Sequence, residues 1–236
     1  MSTLPMQRAR WHAFPDDAAL QANALTRVLT AAQGAITERG AFDLVLAGGN
    51  TPRRLYRALR ATAADWARWH VWLGDERCLP VGDAERNSAM ARAEWLDHVP
   101  LPPANFHPIP AELGGAEAAV RYARELSGAD AFDVVLLGLG EDGHTASLFP
   151  GHDWGRYGDS PDVLAVSDAP KPPPARVSLS ANRLSNAQHV LYLVEGAGKR
   201  QAVSAWKRGE GIPAASIAPP DGVDILLDAA ADAPAG

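Results

Sequence analysis

Three short stretches of this chain gather residues able to hold an anion, move a proton or polarise a carbonyl. The first is Gly48-Gly49-Asn50-Thr51-Pro52, between an apolar run and a helix-like segment. Paired glycines let a ligand approach the backbone, and a helix N-terminus offers free N–H groups to an anion. No Gly-Lys-Ser/Thr follows, so this is not a Walker A loop. A tight turn with a helix cap would use the same residues. The second stretch is Gly74-Asp75-Glu76-Arg77-Cys78. Its two carboxylates and guanidinium suit proton transfer or polar substrate binding, and they equally fit a solvated charge run. Cys78 beside Arg77 is a candidate low-pKa nucleophile, set against the structural role that a lone thiol usually has.

The third stretch runs from Gly138 to Gly151 and reads Gly-Leu-Gly-Glu-Asp-Gly-His-Thr-Ala-Ser-Leu-Phe-Pro-Gly. It formally matches the glycine pattern of a dinucleotide site. Only His144 to Phe149 remain before Pro150-Gly151, too short for the helix such a site needs. Of seven histidines, His144 alone lies in a glycine-built loop directly after the strongest apolar run. A neutral imidazole there is a candidate general base, and Asp142 can orient it or hold its proton. His144 and His152 lack a zinc-motif spacing and no cysteine cluster supports one, so no catalytic metal is expected. Arg176, after Pro172-Pro173-Pro174-Ala175, and Lys199, in Gly196-Ala197-Gly198-Lys199-Arg200, each place a cation near a strand or helix end. Each could meet a phosphate, or singly be a surface charge.

These loops must be positioned by regular elements, and the apolar periodicity supplies them. Leu20, Ala24, Val28, Ala32 and Ile36 follow Asp16-Asp17 at helical spacing, which predicts a capped helix ending near Gly40. Phe42–Ala47, His70–Leu73 and Phe132–Leu137 predict buried strands; Thr51 is expected to cap a helix whose first residue is Pro52. Ser88–His98, Ala116–Leu126 and Gly198–Lys207 predict further helices, with a proline-rich connection over Pro100–Pro110. Val163–Val166, Arg176–Leu179, Val190–Val194 and Val223–Leu227 predict shorter strands. Uniformly apolar strands alternating with helices indicate an α/β protein with a mainly parallel sheet covered by helices on both faces. No repeat or clean linker divides residues 1–236, so one domain is expected.

Composition narrows the class. The chain has 236 residues, 47% of them hydrophobic and 21% charged, with a formal net charge of −6. That charge argues against a broad nucleic-acid footprint. The single cysteine allows no internal disulfide and fits a reducing cytosol. Met1–Trp11 carries no apolar leader core, and no run approaches about 18 apolar residues, so a cytoplasmic protein with no membrane partner is expected.

Taken in order, the stretches Leu46–Pro52, Gly74–Pro80, Leu137–Gly151, Pro174–Leu179 and Gly196–Lys199 strongly resemble the 6-phosphogluconolactonase family. The resemblance runs from about residue 12 to residue 227, and the Asp-Gly-His-Thr-Ala-Ser-Leu-Phe-Pro-Gly run is its most specific part. It implies a modified Rossmann-like fold and cofactor-free hydrolysis of a small phosphosugar lactone in the oxidative pentose phosphate pathway. It also implies His144 as base, with Gly49, Asn50, Thr51, Arg77, Arg176 and Lys199 holding the substrate, chiefly its phosphate. Asp142 and Asp75 are expected beside His144 as catalytic residues, and Gly48 and Asn87 complete the expected substrate-binding set. The family usually has Ser-Asn where this chain has Arg86-Asn87, a departure at the first position. Glucosamine-6-phosphate deaminases are the competing enzyme class. Their motif ends Phe-Asn-Glu-Pro, whereas here Phe149 takes the place of the proton-handling glutamate. A non-catalytic sugar-phosphate sensor is the competing binding class, and it would have no need of His144. Monomer and homodimer both remain open, as does the group that stabilises the oxyanion.

Overall fold

The computed structural model describes residues 6–234; Met1–Pro5, part of the segment read as lacking a leader core, lie outside the described residues. Strand β1 (Ala9–Phe14) precedes helix α1 (Asp17–Arg39), then come β2 (Phe42–Leu46), α2 (Asn50–Arg60), β3 (Trp69–Leu73), β4 (Asp75–Arg77) and α3 (Asn87–Glu94). The chain continues with β5 (Phe106–His107), α4 (Gly115–Leu126), β6 (Phe132–Gly138), β7 (Val163–Val166) and β8 (Arg176–Leu179). It closes with α5 (Ala181–Ser185), β9 (Ala187–Val194), α6 (Arg200–Lys207), β10 (Val223–Asp228) and α7 (Ala229–Asp232).

Among the described residues seven strands form one sheet in the order β1-β10-β9-β6-β2-β3-β5, with every pairing parallel. Every residue of β10 is buried, as is almost all of β6. Successive strand residues point to opposite faces, so both faces of the sheet centre are covered. The chain order reverses between β2 and β6: β3 and β5 extend the sheet one way, β9, β10 and β1 the other. Crevices at such reversals, beyond the strands' carboxyl ends, are where α/β sheets bind ligands. Strands β4, β8 and β7 form a second, antiparallel sheet, with α4 packed against β7 and β8.

Local chemistry explains the main boundaries. Asp16 caps α1 by accepting from the Ala19 N–H at 2.8 Å, and Gly40 ends it in the left-handed region at φ 81°. Helix α2 departs from the expected cap. It starts at Asn50 with Gly49 in the cap position, so Thr51 lies inside the first turn and caps nothing. Three strands escape the periodicity. In β1, Arg10 and His12 interrupt the apolar pattern because they serve an edge strand, pairing with Asp224 of β10 at 2.7 and 2.6 Å. Strand β4 is the charged run Asp75–Arg77 itself, and β5 is two residues inside the proline-rich connection.

Candidate active site

Four carboxyl-terminal strand ends, those of β2, β3, β6 and β9, open into one cleft of about 240 Å³. Of the expected site residues, Gly48, Gly49, Asn50, Thr51, Asp75, Arg77, Asn87, His144, Arg176 and Lys199 line it. Asp142 does not line the cleft; it stands behind the imidazole.

The anion side is built from backbone. Gly49 has φ 105°, and no side chain caps α2, which leaves its first N–H groups free toward the cleft. Gly48 has a different reason to be glycine: a Cβ there would lie 2.2 Å from Oδ1 of Asn87. Asn87 is itself fixed by Glu76, a fully buried carboxylate that accepts from the N–H groups of Arg77 at 2.8 Å, Asn87 at 2.7 Å and Ser88 at 2.8 Å. Glu76 thus anchors the start of α3 rather than facing ligand. Arg86, at the departure from the family pattern, is buried away from the cleft and donates to Glu112 at 2.8 Å.

Asp75 joins three loops. Asn87 Nδ2 donates to its Oδ1 at 2.9 Å, and the Ser147 hydroxyl donates to its Oδ2 at 2.6 Å. Both oxygens are engaged, and Ser147 comes from the His144 loop. Sequence reasoning missed Ser147, since a serine two residues before Phe149 carries no signal of its own.

The cations differ in their commitments. Arg77 and Arg176 are directly opposed across the β4–β8 ladder. Arg77 gives Nη1 to the Glu85 carbonyl, and Arg176 gives Nε and Nη2 to the carbonyls of Pro173, Lys171 and Pro172. Burial disfavours the charged forms of Arg176 and Lys199 and pushes both pKa values down from their ordinary values, with Glu141 opposing at Lys199. Desolvated cations lining a cleft await an anion. Lys171, the one charged residue between Ala169 and Ala175, also lines the cleft. Its setting among prolines was the available signal, and sequence reasoning passed over it.

His144 is held from three sides. Its Nδ1 bonds Asp142 Oδ1 at 2.5 Å, its ring packs 4.8 Å from that of Phe149, and it lies against Gly140, where a Cβ would come within 2.0 Å of Nδ1. The bond at Nδ1 leaves Nε2 as the free lone pair, and among the described residues no group bonds it. Burial lowers the imidazole's pKa from its usual value, more than the Asp142 bond raises it. Burial pushes the Asp142 carboxyl up, but its bonds to His144 outweigh that and hold it below the usual range. Both directions describe a neutral imidazole beside an ionised carboxylate. Gly143 (φ 84°) and Ala146 (φ 47°) supply the left-handed turns of the loop; Ala146 is a strained non-glycine position of the kind that collects at functional sites. Cys78 departs from a nucleophile's profile, because burial pushes its thiol up. Among the described residues no three His, Cys, Asp or Glu side chains converge as metal ligands, and no helix is long and apolar enough to cross a membrane.

A family model described as glucosamine-6-phosphate isomerases/6-phosphogluconolactonase matches residues 15–226. The chain belongs to the glucosamine-6-phosphate isomerase/6-phosphogluconolactonase family. Within this family it is 41% identical over 189 residues to a Synechocystis protein named 6-phosphogluconolactonase, covering 76% of this chain and 77% of that one. A Streptomyces coelicolor protein of the same name is 39% identical over 229 residues, covering 88% and 87%. The crystal structure of 6-phosphogluconolactonase from Thermotoga maritima superposes with a TM-score of 0.86 at 25% identity, covering 94% of this chain and 100% of that one. A monomeric glucosamine-6-phosphate deaminase shares the fold, with a TM-score of 0.79 at 20% identity over 94% of this chain and 98% of that one. Both branches of the family therefore use this modified Rossmann-like architecture, and the choice between them lies in the site.

Proposed function

We propose that this chain hydrolyses 6-phospho-D-glucono-1,5-lactone to 6-phospho-D-gluconate, as a cytoplasmic, metal- and cofactor-independent single-domain enzyme. The observation that carries the reading is the His144–Asp142 pair above Phe149. A neutral imidazole with a free Nε2 suits activation of water, and the apolar ring stands where a deaminase would carry its glutamate. Phe149 is 1% exposed and cannot transfer a proton. A non-catalytic sensor has no use for a base held this way.

The reaction follows from the ester. Nε2 of His144 takes a proton from water as the water oxygen adds to the lactone carbonyl. Asp142 stabilises the imidazolium that forms. The tetrahedral intermediate then collapses, the bond from carbonyl carbon to ring oxygen breaks, and the imidazolium returns its proton to the departing ring oxygen. The free N–H groups of Asn50 and Thr51, with Lys199, Arg176 Nη1 and Arg77, take the phosphate. Asp75 and Asn87 hold the loops in register.

The test is early-time hydrolysis of freshly made lactone with the spontaneous rate subtracted, run beside ammonia release from glucosamine 6-phosphate. Turnover of the lactone alone is expected. Ammonia release without lactone turnover would move the chain to the deaminase branch, and silence on both substrates would favour the sensor.

A further inference from the structure

The segment Pro170–Pro174 is fastened by one side chain. Arg176, 6% exposed, donates Nε to the Pro173 carbonyl at 3.0 Å and Nη2 to those of Lys171 at 2.9 Å and Pro172 at 3.2 Å. Successive prolines restrict the backbone further. The result is a stiff strap anchored to β8, and its one charged side chain, Lys171, lines the cleft beside His144. Among the described residues the Lys171 ammonium has no hydrogen-bond or ion-pair partner. Lys199, the other lysine of the cleft, borders a second depression together with Asn50 and Thr51, which sets it at the anion end. Lys171 does not border that depression.

We infer that Lys171 is a catalytic residue, the cation that contacts the lactone carbonyl oxygen as negative charge develops on it. The inference rests on the lactone reading above. When water adds, the carbonyl π pair moves onto oxygen and the ammonium donates a hydrogen bond to it without giving up its proton. When the ring C–O bond breaks, the pair returns. Asp142, Lys171 and Asp75 are the charged groups acting on the imidazole. An ammonium beside a base that must become positive costs energy, unless a negative charge forms within its reach in the same step. The carbonyl oxygen is where that charge forms. The ammonium's repulsion also helps keep His144 neutral before the step.

The experiment compares the full chain with Lys171→Met and Lys171→Arg. In Lys171→Met, kcat/KM for the phosphorylated lactone should fall on the order of 10²-fold, the usual effect of removing one oxyanion donor. Lys171→Arg should recover part of it. Affinity for glucitol 6-phosphate, which carries the phosphate but no carbonyl, should stay within about threefold, since one lost charge-assisted phosphate bond would cost about ten- to hundred-fold. The acid limb of the kcat/KM profile should move to higher pH in Lys171→Met, because a charge that lowers the imidazole pKa is gone. Two results would overturn the inference. One is a kcat/KM within about threefold of the parent; the other is a loss matched by equally weakened glucitol 6-phosphate, which makes Lys171 a phosphate ligand. A parent chain that does not open the lactone overturns the proposed function and this inference together, and the parent control exposes it.

Discussion

Arg77 and Arg176 face each other across the antiparallel β4–β8 ladder, two like charges at directly opposed positions. Such pairs are destabilising by a few tenths of a kcal/mol or more, and here both guanidiniums spend their protein hydrogen bonds on backbone carbonyls. Repulsion from Arg77 adds to burial in lowering the pKa of Arg176. An anion between them would relieve the conflict.

Inorganic phosphate should therefore stabilise the protein. A ligand at about 100 times its Kd adds about 2.7 kcal/mol, which raises Tm by several degrees for a chain of this size. The same addition to Arg176→Ala should raise Tm much less. A thermal scan with and without phosphate reads this directly, and equal shifts in both proteins would place the anion elsewhere.

Gly140→Ala should disable the site without unfolding the chain. The added Cβ falls 2.0 Å from Nδ1 of His144, so the ring must leave its bond to Asp142. A displacement on the order of 1 Å at a catalytic group costs about 10²-fold in rate. Lactone kinetics alongside circular dichroism check it; a folded variant with parental kcat would mean that the ring position matters little.

Asp142→Asn carries a sign as well as a size. Asp142 raises the pKa of His144 against the larger effect of burial, so its loss should move the acid limb of kcat/KM to lower pH. The rate plateau should fall too, because the imidazolium loses its partner. The parent limb is expected below the ordinary histidine value of about 6.5, since burial favours the neutral form. An acid limb that rises in the variant would contradict the assigned pairing.

The edge strand gives a stability test away from chemistry. Burial pushes the Asp224 carboxyl up, but its bonds to Arg10 and His12 and the charge of Arg27 hold it down, at about 2. A carboxyl lowered in the folded state contributes stability that is fully present above its unfolded pKa of about 3.9 and is lost as pH falls toward about 2. Asp224→Asn should cost about 1–2 kcal/mol at neutral pH after allowance for the half-exposed arginine, and little near pH 2. Denaturant melts at the two pH values read the difference.

The parallel sheet was legible because β2, β6 and β10 are almost wholly buried and read as apolar runs, even with Asp43, Asp133 and Asp224 at their second positions. The edge strand β1 was not, since Arg10 and His12 look like loop residues until Asp224 is placed beside them by 214 and 212 residues of intervening chain separation. Strand β4 hid for a related reason: Asp75, Glu76 and Arg77 read as a charge run, yet the Asp75 and Glu76 carboxylates accept from Asn87, Ser88 and Ser147, which lie 11 to 72 residues further along the chain. At the site, glycine loops and the Asp-Gly-His motif announced themselves locally. The tether from Ser147 to Asp75 and the strap held by Arg176 did not, because each exists only when separate loops meet. Gly48 and Gly140 are glycines for contacts with Asn87 and His144, which no local turn rule anticipates.

The most direct test of His144 as the base is His144→Gln, assayed on fresh 6-phosphoglucono-lactone with the spontaneous rate subtracted. Glutamine keeps polarity and approximate size but cannot take the water proton. The expected result is a fall in kcat on the order of 10²–10⁴-fold, with binding of 6-phosphogluconate largely retained and the acid limb of the profile abolished. A folded His144→Gln protein that turns over the lactone at close to the parental rate would contradict it.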